Sequence, residues 1–206
     1  TEKVTGRRLL VLLDDEQAKS IVKWFALLRH SKGELAGTPI LLNGWQKFVI
    51  ANCTAGAEKI QGDEDLKGLS LISRKNSKSQ LESGVALYEI SVTSTSNHEV
   101  AEAYTAGTKR EQSKIVFDEC KLMPEAPLSK VNFADDFVYH SCKNRLIYQA
   151  LSREDGKNGD GTCPALLVLD EFHQHKTTEF YDLGLGSNTK EPLLMIITTA
   201  GKSLNV

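Results

Sequence analysis

Apolar residues recur along the chain at two spacings. Ile21, Val22, Phe25 and Leu28 fall on one helical face, with Asp14-Asp15 as an acidic N-cap candidate. Asn43-Gly44 opens a second helix, which turns Trp45, Phe48 and Val49 inward. Leu81, Val85 and Tyr88 mark a third helix. A fourth begins at a capping box, Thr108 at N-cap and Glu111 at N3; Ile115, Val116, Cys120 and Met123 form its inner face, and Pro124 and Pro127 end it. The other apolar runs read as strands: Leu69 to Ile72, Glu99 to Ala106, Phe137 to His140, Leu146 to Ala150, Ala165 to Leu169 and Leu193 to Ile197. Ala165 to Leu169 is unbroken by polar residues, the mark of a central parallel strand buried on both faces. Gly- and Pro-bearing or polar stretches over 31–39, 55–67, 91–97 and 152–162 are loops, and 172–190 is loop plus a short helix. Strands separated by helical runs predict an α/β fold with a mostly parallel sheet flanked by helices.

Composition narrows the class. The chain has 206 residues, 40% hydrophobic and 25% charged, which suits one soluble domain with a sizeable core. We expect a helical lead-in over about residues 1–66 and a core over about 67–206. Charges interrupt every apolar run before it reaches the length of a bilayer span, so no membrane partner is expected. The net charge of −2 argues neither for nor against nucleic acid, although Arg74, Lys75 and Lys78 cluster. Cys53, Cys120, Cys142 and Cys163 form no CxxC pair, which points to a reduced, cytoplasmic setting. The first residue is Thr1, and the last stretch stops just after a strand-like run, so the chain reads as a piece of a longer protein.

Three strands end in chemistry. The first runs into Ser73-Arg74-Lys75-Asn76-Ser77-Lys78-Ser79 and then a helix, the layout of a phosphate-binding P-loop, but without its glycines. The second ends at Asp170-Glu171 and the third at Thr198-Thr199. Ligands of open parallel sheets bind beyond the carboxyl ends of strands, so these residues are expected to meet in one crevice. Their roles complement one another. Lys78 supplies positive charge to the β- and γ-phosphates, Ser79 a hydroxyl to Mg²⁺, and the backbone N–H groups of the helix start face phosphate oxygens. Asp170 holds hydrated Mg²⁺ in the second shell, and Glu171 orients and deprotonates the attacking water. Thr198 or Thr199 senses the γ-phosphate, Arg74 stabilises developing negative charge, and the Gln46 carboxamide matches an adenine edge.

The same residues resemble the large terminase subunits of tailed bacteriophages. Arg74-Lys75-Asn76-Ser77-Lys78-Ser79 followed by Ala86-Leu87-Tyr88 is similar to that family's Walker A region, and Leu169-Asp170-Glu171-Phe172-His173-Gln174-His175 to its Walker B region. Tyr104 to Gln112 is similar to its Ala-Gly-Thr segment, Pro192 to Gly201 to its Thr-Thr-Ala-Gly coupling motif, and Trp45-Gln46-Lys47-Phe48 to its adenine-contacting motif. The resemblance implies a P-loop NTPase fold of the ASCE type. It implies an ATP hydrolase, with ATP as substrate and Mg²⁺ as cofactor, that drives double-stranded DNA into a procapsid in the host bacterial cytoplasm. The partners it implies are DNA, the portal and procapsid, the small terminase subunit and further copies in a ring. The resemblance further implies that the family's C-terminal nuclease domain is absent from this chain, so nuclease activity is not expected of it. Ser77 departs from the pattern, since the family has glycine there; forcing a non-glycine residue into that conformation costs roughly 1–3 kcal/mol.

Two other readings compete. One is a nucleotide-binding assembly module with negligible turnover by itself, completed by a neighbour's arginine; Arg110, Arg145 and Arg153 are the candidates. The other takes Asp170, His173 and His175 as metal ligands. For DNA, Lys109-Arg110 and Lys143-Arg145 are candidate backbone contacts, although solvated faces are the simpler reading.

Overall fold

The two most apolar runs form the centre of the molecule: Pro164–Asp170 (β6) and Leu193–Thr198 (β7) pair in parallel. The computed structural model describes residues 15–54, 66–71, 77–93, 102–124, 131–133, 137–140, 147–151, 164–175, 177–185 and 193–198. The remaining strands are Leu66–Leu71 (β1), Glu102–Ala106 (β2), Val131–Phe133 (β3), Phe137–His140 (β4) and Ile147–Leu151 (β5). Together they make a seven-stranded sheet in the order β1-β7-β6-β2-β5-β4-β3. Neighbours from β1 to β5 run parallel, and β4 and β3 close that edge antiparallel. The expected α/β architecture is thus present, with β3 as an addition that its three residues are too few to signal by periodicity.

Alternation along the central strands sends side chains to two cores. Leu166, Val168, Leu193 and Met195 join the larger one, and Leu167, Leu169, Leu194 and Ile196 the smaller. The larger core lies under Asp15–Leu27 (α1), Gly44–Thr54 (α2), Lys78–Tyr88 (α3) and Arg110–Leu122 (α4). Phe180 of the short helix Glu179–Leu185 (α5) packs into the smaller one. Sandwiched this way, α3 is buried on all sides from Leu81 to Tyr88, rather than along the single face its apolar spacing predicted. It continues as a π-helical turn, Glu89–Thr93, whose end runs into the stretch 91–97 expected to be a loop.

Helix α1 clamps α3. The Trp24 indole Nε1–H donates to the Gly84 carbonyl at 3.2 Å. The Phe25 ring lies where a Gly84 side chain would be: a Cβ there would stand 2.3 Å from Phe25 Cε1. Buried Ile21, Phe25 and Leu28 follow the predicted face, with Trp24 added to it.

Several local expectations are corrected. Trp45 and Phe48 do not face inward; they are 41% and 70% exposed, and α2 instead buries Ile50. Its inward stripe is therefore Gln46, Val49 and Ile50, half-buried or buried at i, i+3 and i+4 spacing. On α4 the buried residues are Val116, Phe117, Cys120 and Met123, while Ile115 is 52% exposed. That helix starts one residue later than expected, with extended Lys109 at its N-cap and no capping bond from the Lys109 side chain. Ser113, buried at the sheet, anchors the first turn instead by donating to the Leu151 carbonyl at 2.6 Å. The 152–162 loop reading lies outside the described residues.

Candidate functional site

Strand register sets the position of the candidate site. Leu71 is level with Thr198 on β7, and Asp170 with Ile197, so β1, β7 and β6 end at one edge of the sheet. Because β7 lies between the other two, a side chain leaving the start of α3 must reach across its end to meet β6. Lys78 does so. Its ammonium bonds Asp170 Oδ1 at 2.6 Å and Glu171 Oε1 at 2.8 Å, with all three side chains at most 19% exposed. Burial alone would lower the Lys78 pKa, but the hydrogen bonds to Asp170 and Glu171 and the nearby negative charge outweigh it and raise it. Lys78 is thus held as a cation against two carboxylates.

The backbone on both sides of this cluster is left-handed. Ser77 has φ 54° and ψ 32°, and Glu171 has φ 49° and ψ 46°; among the described residues these are the non-glycine positions with positive φ. The conformation expected to favour glycine at Ser77 is therefore adopted by serine. Its side chain makes no cap bond, and the first N–H groups of α3 carry the partial positive charge of a helix start. At Glu171 the turn is braced by its own N–H, which donates to Asp170 Oδ1 at 2.8 Å.

The two histidines after the strand are engaged in the protein. His173 Nδ1 lies 2.7 Å from Thr198 Oγ1 and 3.4 Å from Glu171 Oε2, and the His173 N–H donates to the same Thr198 oxygen at 3.4 Å. His175 Nε2 lies 3.2 Å from the Asp170 carbonyl, which can only accept, so Nε2 carries the proton. Burial lowers the His175 pKa and favours that neutral ring, which stacks on Phe172. The metal reading of Asp170, His173 and His175 is thereby displaced: among the described residues no group of three His, Cys, Asp or Glu side chains is arranged to hold a metal ion.

One acid in the site had no sequence-level role. Glu82, one turn into α3, is fully buried, and neither carboxylate oxygen has a hydrogen-bond partner among the described residues. Burial pushes its pKa well above the ordinary carboxylate value; Asp170 and Glu171 push the same way, and Lys78 opposes them. The signal was available as a charge set between Leu81 and Val85 on an apolar helix, four residues after Lys78. The His173–Thr198 link had no such signal, since it exists only because β6 and β7 are neighbours.

Of the expected site residues, the structure joins Lys78, Asp170 and Glu171 directly and brings Thr198 to Glu171 through His173. Ser79 lies half-buried in the first turn of α3. Gln46 makes a different set of bonds. Its Oε1 accepts the Asn43 N–H at 2.9 Å and its own N–H donates to Asn43 Oδ1 at 3.1 Å, a reciprocal cap at the start of α2. Arg74, Lys75, Asn76 and Thr199 lie outside the described residues.

Known proteins share this architecture. The large terminase of bacteriophage HK97 superposes with a TM-score of 0.65 at 23% identity, over 91% of this chain and 38% of that one. The large terminase of a thermophilic bacteriophage gives 0.53 at 11% identity, over 74% and 38%. The UvsW helicase of bacteriophage T4 gives 0.53 at 12% identity, over 87% and 59%. The chain thus spans little more than a third of the two terminases' length. A relative in sequence, Protein YmfN of Escherichia coli K12, is 39% identical over 57 residues, which make up 26% of this chain and 12% of that protein. The family model for the terminase large subunit ATPase domain matches residues 45–206, and the chain belongs to that family.

Proposed function

We propose that this chain is the ATPase motor domain of a viral DNA-packaging terminase, coupling Mg²⁺-dependent ATP hydrolysis to movement of double-stranded DNA into a procapsid. The observation that carries the reading is the grip of Lys78 on both Asp170 and Glu171 at the shared strand edge. A lysine at a helix start, opposite an Asp-Glu pair on a neighbouring buried strand, supplies the charges that ATP hydrolysis needs. Walker A corresponds to 74–79 and Walker B to Leu169, Asp170 and Glu171 in this reading.

The chemistry follows from these groups. The γ-phosphate competes with the two carboxylates for the Lys78 ammonium, and the α3 N–H groups take further phosphate oxygens. Glu171, released from Lys78, accepts the proton of a water as that water attacks the γ-phosphorus; ADP leaves and Lys78 compensates the charge on the transferred group. Arg74 and Thr199 assist there, Lys75, Asn76, Ser77 and Thr198 complete the phosphate cradle, and Gln46 gives up its cap to read adenine. The hydroxyl of Ser79 and the carboxylate of Asp170 are oxygen donors of the hard type that suits Mg²⁺, with Asp170 acting through water. Mg²⁺ bound there would neutralise charge on the β- and γ-oxygens. The host cytoplasm, the small terminase subunit, the portal and a homo-oligomeric ring belong to this same reading.

A second reading, a nucleotide-binding module with negligible turnover outside a ring, is favoured by the same grip, since ATP must first displace two carboxylates from Lys78. Turnover per chain that rises with protein concentration separates it from a self-sufficient ATPase. The primary reading is tested by ATP binding and hydrolysis in Lys78→Ala and Glu171→Gln. Loss of hydrolysis in both, with binding kept in the second, supports it.

A further inference from the structure

The turn after β6 contains a polar contact that the proposed chemistry does not require. His173 Nδ1 stands between two acceptors, Thr198 Oγ1 at 2.7 Å and Glu171 Oε2 at 3.4 Å. A carboxylate facing a ring nitrogen repels a lone pair there and attracts an N–H, so the site selects the Nδ1–H tautomer. That N–H is then shared between the Thr198 hydroxyl and the Glu171 carboxylate. The backbone N–H of His173 donates to the same hydroxyl oxygen. The carboxylate so held belongs to a residue with φ 49°, a backbone state that needs bracing from its surroundings.

We propose that His173 is a positioning residue for Glu171: its Nδ1–H, anchored on Thr198 at the end of β7, aims the carboxylate at the attacking water once Lys78 lets go of it. The proposal rests on the reading of Glu171 as general base. Glu171 Oε1 is held by Lys78 and Oε2 faces His173, so the two oxygens have separate keepers. When the ammonium moves to a phosphate, only the Lys78 restraint is lost. The link also joins the strand end that meets the γ-phosphate to the group that activates water.

The test combines turnover with the ring tautomer, measured on the full 206-residue chain. Long-range ¹H–¹⁵N correlation spectra report which imidazole nitrogen carries the proton, and this needs no turnover. The expected result is Nδ1–H at His173 in the wild type, with Nε2–H, the form a free imidazole prefers, gaining population in Glu171→Gln. In the hydrolysis assay, His173→Ala lowers kcat on the order of 10- to 100-fold, a part of the roughly 10²–10⁴ a positioned base contributes. The dissociation constant for ATP stays within about twofold, because the contact orients a group that acts on water rather than on nucleotide. His173→Asn, whose carboxamide N–H occupies the place of Nδ1–H, recovers most of the rate, and His173→Gln, which mimics Nε2, does not. An Nε2–H ring in the wild type overturns the proposal. So does a His173→Ala rate within about twofold of wild type while Glu171→Gln is inactive. If Glu171→Gln itself hydrolyses ATP normally, it is the general-base reading that fails.

Discussion

At the scale of residues, the cost of serine at position 77 falls on the folded chain itself. Ser77 is left-handed while Lys78, next to it, is paired to carboxylates, so the strained backbone does not require a phosphate to impose it. A cost common to bound and free protein cancels from binding. Ser77→Gly therefore removes about 1–2 kcal/mol of left-handed strain and gives back about 0.4–1 kcal/mol through a freer unfolded chain. Chemical denaturation should show a net gain of up to about 1.6 kcal/mol, with the ATP dissociation constant changed less than about threefold. A large gain in affinity with unchanged stability would show that the loop is strained only when it holds nucleotide.

Glu82 ties the site to pH. Its folded pKa lies above the ordinary glutamate value of 4.5, so between that value and the raised one the native chain binds a proton that the unfolded chain has lost. Its contribution to stability is fully present below pH 4.5 and is lost as pH rises toward the folded value, with a slope of up to about 1.4 kcal/mol per pH unit for one proton. Glu82→Gln, which does not ionise, should match the wild type near pH 4 and exceed it increasingly as pH rises toward the raised Glu82 pKa. Melting temperatures of the two proteins across that range would check it; parallel curves would show that Glu82 titrates normally. Lys78, Asp170 and Glu171 were legible in the sequence because each follows an apolar run with its chemistry intact. Glu82 was not assigned, because its burial is decided by helices on either side of α3.

At the scale of elements, α1 and α3 meet at a contact that no local pattern announces. Gly84 is in a helix, where glycine costs about 1 kcal/mol relative to alanine, so propensity alone would favour replacing it. The Phe25 ring forbids this, standing 2.3 Å from the added Cβ. Gly84→Ala should destabilise the chain by about 1–3 kcal/mol, and Phe25→Leu in the same chain should return part of the loss. Equal stability of Gly84→Ala and wild type would mean that Phe25 is free to move aside.

Helix existence was read well, and helix orientation less so. The α2 face is a case in point: Trp45 and Phe48 are large and apolar, yet the core lies on the side of Ile50. Hydrophobicity identified the candidates but not which stripe the neighbours cover. The inner face of α4 is likewise turned by one residue, because Phe117 and Ser113 meet the core where Ile115 was expected. The observed start at Arg110 puts Lys109, rather than Thr108, at the N-cap. By contrast β6 and β7 were clear, since strands buried on both faces have uninterrupted apolar runs.

At the scale of the whole molecule, the decisive feature is the place of β7 between β1 and β6. That order aligns three strand ends and leaves Lys78 the width of one strand to cross. It was not legible in sequence, because β1 and β7 are more than a hundred residues apart and parallel pairing leaves no local mark. The meeting of strand-end residues in one crevice was expected from general sheet geometry, and the pairing of Lys78 with residues 92 and 93 positions away is its realisation. In the described residues no helix is long and apolar enough to cross a membrane.

The proposed motor function makes Glu171 act on water and Lys78 act on phosphate, a division of labour that one paired measurement tests. ATP binding and steady-state hydrolysis are measured on wild type, Lys78→Ala and Glu171→Gln at several protein concentrations. Lys78→Ala is expected to lose both binding and hydrolysis. Glu171→Gln is expected to bind ATP with near wild-type affinity while its turnover falls by about 10² or more. Wild-type turnover in Glu171→Gln, or undiminished ATP binding in Lys78→Ala, would contradict that division of labour.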